Sequence, residues 1–81
     1  MPIRYETNVR HHGAVFRIRT EVVVAGHILT QLLSVEDVLL VTRMALGEEK
    51  AQLQEMHRGM FRALSEGRLE EDLRRQGQGA S

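Results

Sequence analysis

Two stretches of strict alternation, separated by a glycine turn, limit what the first third of this chain can become. From Ile3 to Val9 the residues Ile3, Tyr5, Thr7 and Val9 share one side, with Arg4, Glu6 and Asn8 on the other. That period of two belongs to a strand with one buried face. Arg10-His11-His12-Gly13 interrupts it, and Ala14 to Val24 resumes it, with Phe16, Ile18, Thr20, Val22 and Val24 on one face. The pattern predicts an antiparallel hairpin turning through Arg10 to Gly13, with Tyr5 and Phe16 buried on the same side.

Ala25-Gly26 can close a second tight turn, after which His27 to Leu33 is short and rich in branched apolar residues. It reads as a third strand, because three consecutive valines and Gly26 oppose a helix begun near Thr20 or His27. Ser34-Val35-Glu36-Asp37 then carries the signature of a helix start, a serine followed three residues later by a carboxylate. The expected first helix runs from Val35 through Leu39, Leu40, Val41 and Met44 to Leu46, with Gly47 as its C-terminal cap. Glu48-Glu49 should supply negative charge to the first turn of a second helix. Its stripe is Leu53, Met56, Met60, Ala63 and Leu64, and Gly67 marks its end. Arg68 to Arg75 forms a short charged extension before a flexible tail.

The expected architecture is therefore α+β, a three-stranded antiparallel β-meander packed against two C-terminal helices plus a short third one. Residues 1–76 read as one domain and 77–81 as a flexible tail. A domain of 81 residues buries only about 60–65% of the surface its unfolded chain exposes, so it needs help from a disulfide, a metal or association. Cysteine is absent from the sequence, which removes the first remedy and fits a reducing compartment. The opening Met1-Pro2-Ile3-Arg4-Tyr5-Glu6 lacks the apolar run of a signal peptide, and no apolar stretch approaches a membrane span, so a cytoplasmic protein without a membrane partner is expected.

Eleven basic and eleven acidic side chains balance, so the net field does not steer the chain to nucleic acid. Arg4, Arg10, Arg17 and Arg19 lie on or beside the polar face of the first two strands and form a possible basic face. Glu6 and Glu21 share that face, and cross-strand ion pairs are its plainer explanation. His11-His12 is the one local histidine cluster; adjacent residues in a strand or turn usually point apart and no carboxylate lies at ligand spacing beside them, so neither metal nor cofactor is expected. Ser34, Ser65 and Ser81 lack a nucleophile's setting, the glycines are scattered singly, and no catalytic residues are assigned.

What remains is a non-enzymatic protein-interaction module, a small regulator or inhibitor. Compact cysteine-free α+β chains of this size occur among bacterial and phage-encoded modulators of host systems, an analogy of size and class alone. The rival readings are a nucleic-acid-binding regulator using the sheet arginines and a small structural subunit of a larger assembly. The expected first helix is apolar around nearly its whole circumference, so a homodimer or a protein partner is expected to cover Leu39, Leu40, Met44, Leu53, Met56 and Met60.

Overall fold

A computed structural model describes residues 4–24 and 26–79. Four strands, β1 (Arg4–His11), β2 (Ala14–Val24), β3 (His27–Ser34) and β4 (Leu39–Leu46), form one antiparallel sheet in the order β1-β2-β3-β4. Two helices follow, α1 (Lys50–Ser65) and α2 (Glu70–Gly79). The class is α+β, as the sequence implies, with four strands and two helices in place of three and three.

The N-terminal hairpin forms in the register that its alternation demands. Tyr5 pairs with Thr20, Thr7 with Ile18 and Val9 with Phe16, which puts Tyr5 and Phe16 on the same face, both half-buried rather than fully enclosed. The loop is shorter than Arg10 to Gly13, because β1 continues to His11 and only His12-Gly13 turns. Both turn residues have positive φ, 52° and 82°, the backbone that matches the right-handed twist of flanking strands. The second loop closes at Gly26 (φ 81°), with Ala25 outside the described residues.

The expected helix from Val35 to Leu46 is a turn and a strand. Ser34 does collect downstream amides, as a capping serine would. Its Oγ accepts from the N–H groups of Glu36 and Val38, both at 3.2 Å, while Ser34 N–H donates to Val38 O at 2.9 Å. Asp37 takes a positive φ of 62°, so the backbone reverses instead of winding on. Serine bonds of this kind close turns as readily as they start helices. Leu39 to Leu46 then pairs along the whole of β3, where its branched and long apolar side chains pack on a pleated surface.

Gly47 caps no helix; it opens the path into α1. At φ 140° it lies where the side chain of Gln52 folds back so closely that a Cβ would run into Gln52 Oε1. Gln52 Oε1 accepts the N–H of Glu49 at 3.2 Å, which satisfies one orphan amide at the helix start. Glu48 and Glu49 precede the first turn of α1 rather than occupying it, and Glu48 Oε2 accepts from Gly26 N–H at 3.2 Å.

The expected stripe of α1 faces the sheet. Leu53, Met60, Ala63 and Leu64 are buried, and α1 lies across β1, β2 and β3. After Gly67 (φ 78°) the chain turns into α2, which packs toward β4. Val9, Ile18, Leu32, Met60, Ala63, Leu64 and Leu69 make one cluster, bordered by Phe16, Val41 and Leu73. Helical backbone runs through Gly79, into the stretch read as a tail; residues 80 and 81 lie outside the described residues. Among the described residues no helix is long and apolar enough to cross a membrane.

Candidate functional site

The helices cover one face of the sheet, and what the other face carries follows from the pairing registers. Its β1–β2 half presents Arg4, Glu6, Asn8, Arg17, Arg19 and Glu21. Most of these charges find partners, although Arg19 Nε is buried without one among the described residues. Arg4 bonds Glu21 at 2.9 Å and lies 3.6 Å from Glu6, Arg17 reaches Asp37 at 2.8 Å, and Arg19 donates to Gln31 at 3.3 Å. Of the expected basic face, only Arg10 makes no ion pair or side-chain hydrogen bond among the described residues.

The β3–β4 half of the same face is mainly apolar, with Gln31 opposite Thr42 in its middle and His27 at one end. Leu29 stands opposite Met44, and Leu33 opposite Leu39. Met44 is 61% exposed, Leu39 45% and Leu46 76%, with Val23 and Val24 exposed at the adjoining end of β2. β4 is also an edge strand, and Arg43 is its one charged residue. Edges are ordinarily guarded by charge, and β1 at the far edge is so guarded by Arg4, Glu6 and Arg10.

The six residues expected at an interface thus divide. Leu39 and Met44 stand exposed on this face, and Leu40 is half-buried where the β3–β4 register shifts. Leu53 and Met60 are buried within the chain, at 0% and 2% exposure, and Met56 is half-buried on the helical side. Leu53 and Met60 therefore belong to the core of the chain, while Met56 stays partly open on the helical side and the β4 residues stand open on the other face.

On the helical side a second feature escaped the sequence. Thr20 and Thr30 face each other across β2 and β3, both buried, with their hydroxyls 3.0 Å apart. Two threonines in an apolar core need partners. His57 of α1 supplies the rest, its Nδ1 lying 2.9 Å from Thr20 Oγ1 and its Nε2 2.9 Å from Thr7 Oγ1. A neutral imidazole fits this chain in either tautomer, donating at one end and accepting at the other. Burial holds the His57 pKa below that of a free histidine. Tyr5 lies beside it, ring centroids 6.0 Å apart, with Gln54 Nε2 donating to the phenol oxygen at 3.3 Å. Tyr5, Thr7, Gln54, His57, Arg58 and Phe61 line an open cleft of about 340 Å³. Nothing local in the sequence joins His57 to Thr7 and Thr20, since the helix brings together residues 37 and 50 positions apart.

At the other end of the sheet, His11, His12 and Glu70 converge. His11 Nε2 is 2.9 Å from Glu70 Oε1, His12 Nε2 is 3.9 Å from the same oxygen, and the two rings are 4.0 Å apart. The expectation that neighbouring histidines diverge fails because His12, at positive φ, has left the strand and its alternation. The missing carboxylate arrives from α2. The hydrogen bond from His11 holds the Glu70 carboxyl below its ordinary pKa. No family model, curated protein or solved structure matches the chain.

Proposed function

We propose that this chain is a non-enzymatic protein-interaction module, a small regulator or inhibitor, and that it works as a homodimer joined through the uncovered β3–β4 half of its sheet. The observation that carries the reading is the contrast across one face: arginines of β1 and β2 engaged by Glu21, Asp37 and Gln31, and open leucine and methionine on β4. Contiguous apolar surface of this kind marks an interface more often than it marks idle surface. A second copy is the occupant because the patch is almost free of charge and so complements itself under a twofold axis. An 81-residue chain also has the most to gain from burying it.

Such a dimer turns both helical faces outward. Each presents the cleft beside Phe61 and Arg58, and two copies of one recognition surface strengthen binding to a paired or repeated partner. The cytoplasm suits a chain without cysteine. The test is sedimentation equilibrium on the wild-type chain and on Met44→Glu. The proposal expects a dimer for the first and a monomer with unchanged circular dichroism for the second; a monomeric wild type at high concentration refutes it.

A nucleic-acid-binding role is the second reading, and a different set of arginines favours it. Arg43, Arg62 and Arg68 line an open cleft of about 270 Å³ on the helical side. Arg43 and Arg62 make no ion pair among the described residues. Binding of that kind weakens steeply as salt rises, whereas docking on the apolar face does not.

A further inference from the structure

We propose that His11, His12 and Glu70 form a binding site for one divalent transition-metal ion of the zinc class. Their three donor atoms, one from each residue, lie within 4.8 Å of one another, two from the β1–β2 turn and one from the first turn of α2. Tetrahedral zinc with bonds of about 2.0–2.2 Å separates its ligand atoms by roughly 3.3 Å. The present separations from Glu70 Oε1, 2.9 Å to His11 and 3.9 Å to His12, bracket that value. The two histidine nitrogens lie within 4.8 Å of each other, so rotation about the side-chain bonds of the exposed His12 is what gathers the set around one ion.

The backbone has already done the harder part. His12 is held in the left-handed region (φ 52°) by the two-residue turn, so its ring stacks edge-on against His11 instead of pointing to the opposite face. His11 is largely enclosed, its side chain 14% exposed, and its position is fixed by pairing with Ala14. Two imidazole nitrogens and one carboxylate oxygen suit zinc and its borderline neighbours better than calcium or magnesium, which prefer all-oxygen shells. In the metal-free chain His11 Nε2–H donates to the carboxylate; on binding, that nitrogen offers its lone pair to the metal and the ring proton resides on Nδ1.

Three protein ligands leave a fourth position open to water or to a donor from a partner. The bound ion reinforces the His11–Glu70 hydrogen bond between the hairpin and α2, supplying the kind of added stability a chain of this size lacks. It is independent of the sheet-face dimer, which involves none of these residues.

The test is isothermal titration of zinc into untagged protein, alongside thermal melts and the visible spectrum of the cobalt complex. One ion per chain, a rise in Tm with zinc and a tetrahedral cobalt spectrum are expected. Glu70→Gln and His11→Ala each weaken binding by about tenfold or more, and His27→Ala leaves it unchanged. Each variant is checked by circular dichroism; Glu70→Gln, at a partly open surface position, reports on the site even where His11→Ala loses its fold. Absence of saturable zinc uptake by the wild type, or uptake equal in wild type and Glu70→Gln, overturns the proposal.

Discussion

Single residues in this chain do work that their sequence neighbourhood only half reveals. Ser34 accepts two backbone amides at a turn, so Ser34→Ala should cost about 1–2 kcal/mol of stability, read as a lower urea midpoint with an unchanged slope. His57 gives a pH signature. Its folded pKa is depressed, so the unfolded chain binds the proton more readily, and the stability it confers is full above the unfolded value near 6.5 and declines as pH falls below it. Urea melts across that range should show wild type losing stability with acid more steeply than His57→Gln, in which no imidazole titrates. Equal slopes would remove His57 from the account. Neither His57 nor Glu70 shows its role locally, because their partners lie 50 and 59 positions earlier in the chain.

Elements were legible where one face is apolar and the other polar, and illegible where both are apolar. β1 and β2 alternate cleanly and are readable as a hairpin with its buried face, though not with the length of its loop; α1 is readable from a stripe at helical spacing. In β4 the inward residues are Val41, Arg43 and Ala45 and the outward ones Thr42, Met44 and Leu46, so no period of two emerges. A mainly apolar stretch of eight residues, broken only by Thr42 and Arg43 and followed by glycine, suits a helix equally well, and the Ser34 signature misleads because turns use the same bonds. The strand forms because β3 offers it a complete ladder of partners, a long-range fact. The entry to α1 depends on Gly47, whose φ of 140° strains any residue with a side chain and whose Cβ would displace Gln52 from the cap it makes. Gly47→Ala should therefore destabilise by more than about 1 kcal/mol and fray the first turn of α1, visible as faster amide exchange at Leu53 and its neighbours.

At the scale of the molecule, four strands and two helices close one core and leave one half-face uncovered. The helices cover the inward side of the sheet, ion pairs hold Arg4 and Arg17 on the outward side of β1 and β2, and nothing within the described residues covers Leu39, Met44 and Leu46. The sequence carried the idea that this chain must bury more than it can alone, but placed the surplus on helices because it took β4 for one. The central claim is that this half-face joins two copies. A dilution series of amide NMR spectra, from millimolar to micromolar, tests it residue by residue. The account predicts concentration-dependent shifts at Leu29, Leu33, Leu39, Met44 and Leu46 with Leu53, Met60 and Leu64 unmoved; spectra that do not change with concentration while the protein sediments as a monomer would contradict it.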